Sequence, residues 1–380
     1  MSQIDPGTSS WLRTRNDREA LHLFLEHGPL TRTRLGELTG MSKPTATQMI
    51  ARLKRADLVR PVGEVAGNRG PSAVSWGVRT DRITGVAISM REDTIQAVLV
   101  DAAAAEHPVI ELPVDRAGRT PEGDIGRAID AACAAADAEQ HTVEAVTVGV
   151  QGAVGRAEDS ISMTDTLPGW PSTGSRERIE QSLGVAVTLE NDVNLATMAE
   201  RAVGVARDAG SFALLWIGVG LGVGVDLAGS IHRGAHGSAG EVGYLTVAAG
   251  SGAPGAGTTE LLGSDAVRQL LGGAAARYPE GLLALADDHA ALGVIAERIA
   301  LTLEPVLAVL DPEMVVLGGP TALACGTRLA SAVMDRLAGD DRPTPTVLLS
   351  STGSTAVLVG ARRLLVQQIR ERLEERIPTQ

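Results

Sequence analysis

Two rhythms of apolar and polar positions divide this chain. Over the first eighty residues, apolar side chains return at helical spacing. Leu21, Phe24 and Leu25 mark one helix, and Leu35 and Leu38 mark a second. Over 42–55, SKPTATQMIARLKR, Ala46, Met49, Ile50 and Leu53 fall at i, i+3, i+4 and i+7 and predict a third helix with one apolar face. The punctuation agrees. Asn16 or Asp17 is expected to cap the first helix, and Gly28-Pro29 to break it. Thr31 starts the second and Gly40 stops it. Ser42 suits the N-cap of the third, with Pro44 in the first turn, where a missing N–H costs little. Two extended runs, 62–65 and 73–76, then flank a Gly-rich turn carrying Asn68 and Arg69, the pattern of a hairpin.

From residue 82 the rhythm changes. Short apolar runs at 83–88, 95–100, 143–150, 186–189, 212–217, 223–227 and 314–317 predict strands. Between and after them, 122–138, 176–183, 191–203, 292–310 and 356–372 read as helices. Alternation of this kind implies an α/β fold with mixed sheets.

Two helices joined by a short Gly-containing turn, followed by a hairpin, make a winged helix-turn-helix. The third helix sets hydroxyls, an amide and cations away from its apolar stripe, a surface suited to a DNA major groove. Thr45, Thr47 and Gln48 are expected to face base edges. Lys43, Arg52 and Arg55 are expected to hold phosphates, with Asn68 and Arg69 reaching from the wing. A solvated amphipathic helix is the plain alternative, and charge weighs against it. Residues 1–80 hold 12 Lys+Arg against 7 Asp+Glu, a net of +5, in a chain whose total is −12; residues 81–380 therefore carry −17. A basic head on an acidic body confines phosphate affinity to the head. The chain's only two lysines, Lys43 and Lys54, both lie in the third helix.

At 380 residues the chain has room for two or three domains. Aromatic residues make up only 2%, so Ala, Val and Leu must fill the cores. Two distant cysteines, Cys133 and Cys325, argue against a disulfide framework. The N-terminus is polar up to Trp11, and no apolar run reaches the roughly 18 residues of a membrane span. A soluble, cytoplasmic protein without a membrane partner is expected.

Four segments of the acidic part resemble the ROK family of repressors, open reading frames and sugar kinases. They are Leu189-Glu190-Asn191-Asp192-Val193-Asn194, the glycine run 218–224, the stretch 233–244 (RGAHGSAGEVGY), and Asp311-Pro312-Glu313 leading into Gly318-Gly319. Their order and spacing are far more specific than any one glycine run. The resemblance implies an actin-like, two-lobed α/β sugar-kinase body behind an N-terminal winged helix-turn-helix. It divides the chain into a DNA-binding domain at 1–80, a first lobe at 81–193 plus about 355–380, and a second lobe at 194–354 that includes the oligomerisation and zinc-loop region. It further implies a sugar pocket at Gly152, Asn191, Asp192, Glu241, Tyr244 and Glu260, with Asp192 at the place of the kinases' catalytic base.

The departures matter as much. Where the kinases carry a glycine-rich loop for ATP phosphates, this chain reads Ala87-Ile88-Ser89-Met90-Arg91. In the second phosphate loop Val219 replaces a hydroxyl residue, and the glycines are expected to serve the turn. Tyr244 takes the place of a zinc-binding His. Ser251, Ala253 and Thr258 take the places of three cysteines, so no metal and no cofactor are expected. The loop 248–259 is expected to be mobile. The sequence therefore reads as a non-enzymatic transcription regulator, a repressor of carbohydrate-related genes. It would bind a palindromic operator as a homodimer or homotetramer, with a sugar or sugar-phosphate effector. Two alternatives stay open: an active ATP-dependent sugar kinase with a DNA-binding head, and an effector-independent regulator whose body only oligomerises.

Overall fold

The computed structural model describes residues 9–67, 70–115, 118–164, 166–247, 255–272, 280–286, 288–338 and 343–378. Its head runs α1 (Ser9–His27), β1 (Leu30–Thr31), α2 (Arg32–Thr39), α3 (Lys43–Arg55), β2 (Val59–Gly67) and β3 (Gly70–Val78). Thr31 caps α2 by accepting from the Arg34 N–H, and Gly40 ends it in the left-handed region at φ 68°. Ser42 caps α3 by accepting from the Thr45 N–H. Ala46, Met49, Ile50 and Leu53 are the buried side of α3, and they share one core with Leu21, Phe24 and Leu35. β3 pairs antiparallel with both β1 and β2, which completes a winged helix.

The first helix corrects one expectation. α1 runs straight through Asn16 and Asp17, so neither caps it. Thr14, Asp17, Leu21 and Phe24 recur on one side of α1 and all are buried. A carboxylate on that stripe needs a cationic partner, and Arg52 of α3 supplies it.

The body begins with β4 (Thr84–Met90), β5 (Thr94–Val100), β6 (Ile110–Pro113), α4 (Pro121–Ala135) and β7 (Val143–Val150). A small hairpin of β8 (Ala153–Gly155) and β9 (Ser160–Ser162) follows, then α5 (Ser175–Leu183), β10 (Ala186–Asn191) and α6 (Asp192–Val203). The first sheet has the order β10-β7-β4-β5-β6, with β10, β7 and β4 parallel and the last two strands antiparallel. Beyond α6 come β11 (Ser211–Ile217), β12 (Leu221–Leu227), β13 (Ser230–Ile231), β14 (Thr246–Val247), β15 (Ala256–Gly257), α7 (Thr258–Leu262), α8 (Ser264–Leu270) and α9 (His289–Leu310). The chain closes with β16 (Met314–Gly318), α10 (Gly319–Cys325), α11 (Thr327–Leu337), β17 (Thr346–Leu349) and α12 (Ala356–Glu375). The second sheet has the order β13-β12-β11-β16-β17.

α12 returns to the first sheet, packing on β4, β7 and α6. Its Leu365, Ile369, Leu373 and the following Ile377 belong to one buried cluster with the head core. Ion pairs tie the segment after β3 to Asp57, which follows α3. Arg79 meets Asp57 at 2.6 Å and Asp81 at 3.1 Å, and Arg82 reaches Asp57 at 3.2 Å. These pairs are partly exposed, so burial rather than charge carries most of the stability there.

α6 sits between the two sheets, and the close approach is made by glycines. A Cβ on Gly222 of β12 would lie 2.9 Å from Val193 Cγ2, and one on Gly224 would strike the Thr197 hydroxyl. On the other side, a Cβ on Gly360 of α12 would strike the carbonyl of Leu195. Replacing a helical Gly by Ala normally gains about 1 kcal/mol of propensity. Overpacking against immovable backbone costs about 1–3 kcal/mol or more and should win. Gly360→Ala is therefore expected to lower stability by at least about 2 kcal/mol in chemical denaturation. Gly220→Ala, whose Cβ meets open space, is expected to change it by less than about 0.5 kcal/mol.

Candidate functional site

The head presents an exposed polar surface along α3. Lys43, Thr47, Gln48, Lys54 and Arg55 are exposed, and the buried stripe lies behind them. The Thr47 hydroxyl donates to the Lys43 carbonyl at 2.9 Å, which leaves its oxygen facing outward as an acceptor. Arg55 is held only through Nε, 3.3 Å from the Ala51 carbonyl. Lys54 lies over the Trp76 ring at 5.6 Å and ties α3 to the wing strand. Thr45 is only half-buried, and its hydroxyl lies 2.9 Å from Ser42 Oγ, so it completes the helix cap. Asn68 and Arg69 at the wing tip lie outside the described residues.

Arg52 is a correction. It was expected to hold a phosphate, but its Nε and a terminal N–H donate to the two oxygens of Asp17 at 2.6 and 2.7 Å. Asp17 is buried and the pair is bidentate, so the guanidinium is committed inside the head. Arg52 fixes α3 against α1, which sets the angle at which the exposed face is offered.

The second cluster is a cleft of about 460 Å³ in the body. Gly152, Asn191, Asp192, Glu241, Tyr244 and Glu260 all line it. The register of β10 and the start of α6 set the central pair. Asn191 caps α6, its Oδ1 accepting from the Asn194 N–H at 2.9 Å, while its amide donates to the Gly152 carbonyl at 2.9 Å. Asp192 follows in the first turn, buried, accepting from the Val193 N–H at 2.9 Å. Glu241 lies in the loop that the Val223 N–H to Gly240 carbonyl bond, 2.7 Å, ties to β12. Glu260 is exposed and accepts from the Gly257 N–H at 3.2 Å.

Burial pushes the Asp192 carboxyl up to about 7, with the Glu241 charge adding to the push and Arg91 opposing it. Burial likewise raises Glu241 to about 7. Near neutral pH this floor can therefore both accept and donate hydrogen bonds, which matches the paired donor and acceptor character of polyol hydroxyls.

Beneath the cleft, buried Glu190 receives Arg156 at 2.6 Å, Arg233 at 2.9 Å and the Asn194 amide at 3.0 Å. Arg156 belongs to the β8–β9 hairpin and Arg233 to the loop after β13, so one carboxylate clamps both sides of the cleft. Motif reading highlighted Glu190 and Arg233 without pairing them. Arg156, Arg91 and the lining residues Met163, Thr164 and Trp216 gave no sequence signal beyond their types.

The sites for phosphate and zinc fit poorly. Residues 87–90 lie within β4, which is buried along its whole length, and Arg91 donates to the Ser354 carbonyl at 2.8 Å. Gly222 and Gly224 serve the packing of α6, while Gly218 and Gly220 form the turn, joined by an N–H to carbonyl bond of 3.0 Å. Tyr244, at the expected zinc His position, is exposed, and the Thr258 hydroxyl is buried against the Val242 carbonyl. Neither is a zinc ligand. Ser251, Ala253 and most of the loop expected to be mobile lie outside the described residues. Among the described residues no helix is long and apolar enough to cross a membrane.

Two outcomes follow from these geometries. Arg52→Ala leaves Asp17 buried without a partner and should cost about 3 kcal/mol of stability. Pairing it with Asp17→Leu should recover most of that loss in denaturant titration. For the cleft, the raised carboxyls ionise more readily in the unfolded chain. The stability they contribute as neutral acids is complete below about pH 4 and is lost as pH rises through about 7. Asp192→Asn should thus gain on the wild type between about pH 5 and pH 8 in thermal denaturation, and a constant gap would contradict the raised value.

Comparison with known proteins places this architecture. The profile of the ROK family matches residues 86–368, and that of winged helix-turn-helix DNA-binding domains matches residues 13–60. The chain is 22% identical over 254 residues to the xylose repressor of Bacillus subtilis (strain 168), covering 64% of this chain and 63% of that protein. It thus spans a little under two thirds of that relative's length. It is 33% identical over 108 residues to a beta-glucoside kinase of Listeria innocua serovar 6a, covering 28% of this chain and 37% of the kinase. A ROK family transcriptional regulator, homolog of the E. coli MLC protein, superposes with a TM-score of 0.66 at 17% identity, covering 96% of this chain and 98% of that one. A ROK glucokinase from Streptomyces griseus, in complex with glucose and AMPPNP, superposes with a TM-score of 0.61 at 24% identity, covering 75% and 99%. These likenesses establish an actin-like, two-lobed body with a winged helix at its N-terminus, and with the family profile matched over most of its length the chain belongs to the ROK family.

Proposed function

We propose that this protein is a sequence-specific DNA-binding repressor of carbohydrate-related genes, released or engaged by a sugar or sugar derivative bound in the body cleft. The observation that carries the reading is the exposed polar face of α3, held at a fixed angle by the buried Arg52–Asp17 pair on a basic head. Thr47 and Gln48 would reach base edges, and Lys43 and Arg55 would hold phosphates. Thr45 closes the cap beside them, and Asn68 and Arg69 at the wing tip complete the expected set. A homodimer or homotetramer would present two such heads to a palindromic operator. The xylose repressors among its relatives support both the DNA target and a sugar as signal. α6 begins at the cleft, packs on α12, and α12 shares its core with the head, so a ligand that favours one arrangement of α6 has a packed route to the DNA-binding surface.

The kinase reading draws on the beta-glucoside kinase and glucokinase relatives and on an Asp192 carboxyl poised near neutrality. The buried strand at 87–90 weighs against it, because no glycine there lets backbone N–H groups approach a phosphate. ATP consumption over a panel of hexoses separates the two: turnover abolished by Asp192→Asn would overturn the repressor-only reading.

Selection of bound DNA from a random pool, with and without sugars, tests the main proposal. Gln48→Ala should cost about 1–3 kcal/mol at one operator position and relax specificity there. Lys43→Ala should weaken all sequences alike and reduce the salt slope by about 1. Arg52→Ala, through lost packing of the head, should weaken binding with an unchanged salt slope. A sugar present at 100 times its dissociation constant should raise stability by about 2.7 kcal/mol. No such gain with any sugar would leave the body as an oligomerisation module.

A further inference from the structure

We propose a second ligand site in the body, separate from the cleft. It is a cavity bounded by the β8–β9 hairpin, α5, β10 and α12, and it binds a small phosphomonoester through Arg156 and Arg176. The proposal stands independently of the sugar-responsive reading.

The cavity holds about 270 Å³, roughly nine times the share of one water molecule in the liquid. Two cations from separate elements line it. Arg156 follows β8, and Arg176 lies in the first turn of α5. Gathering cations at one cavity runs against the net negative charge of the body. A cation in the first turn of a helix also meets the positive end of the helix dipole, so Arg176 is not there to stabilise α5.

These guanidiniums are little used within the fold. One N–H of Arg156 donates to Glu190 at 2.6 Å, and the others hold no hydrogen bond among the described residues. The Arg176 side chain holds none there either; Asp159 and Glu180 each stand 3.9 Å away. The neighbouring carboxylates are already committed. Asp159 accepts the backbone N–H groups of Arg176 and Glu177 at 3.1 and 3.0 Å. Buried Glu190 accepts from Arg156, Arg233 and the Asn194 amide. Two forked donors therefore border one cavity with most of their N–H groups open.

The rest of the lining selects the anion. The Thr188 hydroxyl accepts from the Gln368 amide at 2.9 Å, which leaves its own proton to donate and the Gln368 carbonyl oxygen to accept. Val154, Val187 and Leu189 add a buried apolar wall. Two guanidiniums and a hydroxyl offer donors from three directions. That suits a tetrahedral group with three terminal oxygens, and a phosphomonoester carries about −1.5 to −2 charge near neutral pH. A carboxylate is planar and singly charged, and it leaves one guanidinium unmatched. The apolar wall takes the carbon skeleton of the ester, and the Gln368 oxygen takes a hydroxyl on it. A ligand there touches the hairpin that walls the cleft and also α12, whose Leu365 and Ile369 belong to the head's core cluster.

The experiment is calorimetric titration of the full chain with glycerol 3-phosphate, inorganic phosphate and glycerol at constant ionic strength. Glycerol 3-phosphate should bind at one site per chain. Inorganic phosphate, without a carbon skeleton, should bind at least about threefold more weakly, and glycerol should not bind. Arg176→Gln should weaken the ester at least about tenfold, and Arg176→Lys, which keeps the charge and loses the fork, should recover part of that loss. Thr188→Val should weaken it by about threefold or more. The Arg176 side chain is half-buried and holds no hydrogen bond, so Arg176→Gln should keep the wild-type melting temperature, which is checked alongside. Loss of ester binding in both variants at an unchanged melting temperature supports the site. Absence of ester binding, equal binding of inorganic phosphate or of glycerol, or unchanged ester affinity in either variant overturns it.

Discussion

Everything functional in the body depends on how closely other backbones approach α6. The helix is gripped between β12 and α12 at positions where only hydrogen fits, Gly222 and Gly224 on one side and Gly360 on the other. That contact fixes the axis of α6 and therefore its first turn. Asn191 and Asp192 open that turn, so the polar floor of the cleft is aimed by packing in the turn it belongs to and the next, at Val193, Leu195 and Thr197. Glu190, one residue earlier, adds an electrostatic clamp with Arg156 and Arg233. Because Glu190 is buried, those pairs act in a poorly screened setting and hold the two walls in register.

The head follows the same logic with different means. The apolar stripe of α3 alone leaves rotation about the stripe weakly specified. The bidentate Arg52–Asp17 pair and the contact of Lys54 with Trp76 remove that freedom, one against α1 and the other against the wing. A buried ion pair is an expensive way to gain stability, but an effective way to select one orientation over its neighbours. The head carries a net charge opposite in sign to that of the body.

How much of this was legible in the sequence depends on the range of the interaction. The caps at Thr31 and Ser42 and the stripe Ala46, Met49, Ile50, Leu53 are local, and spacing alone located them. The longer strands and most long helices of the body were legible for the same reason, while β8, β9 and α10 are short; α11, eleven residues with Leu329, Ala330 and Val333 on its buried side, was not among the expected helices. The six cleft residues were gathered by motif resemblance, and the structure brings them to one cavity. The partner of Arg52 lies 35 positions away, and a helix-face pattern counts every cation off the stripe as solvent-facing. The clue was on α1, where Asp17 puts a carboxylate on the same side as Leu21 and Phe24. Gly222 and Gly224 show the converse. A glycine run reads as a loop signal, yet these two sit inside a strand to admit a helix.

A helix seated in this way has little capacity to bend. With twelve residues, α6 is roughly 18 Å long. Its first half, Val193 to Thr197, is pinned at Gly222, Gly224 and Gly360, so a tilt of the helix pivots near its N-terminal end. A tilt of about 5° over half that length moves the far end by under 1 Å. α12 meets α6 through Gly360 at Leu195, inside that pinned half. The glycines thus act as a fulcrum close to the cleft, and the free arm of the lever is the C-terminal half of α6.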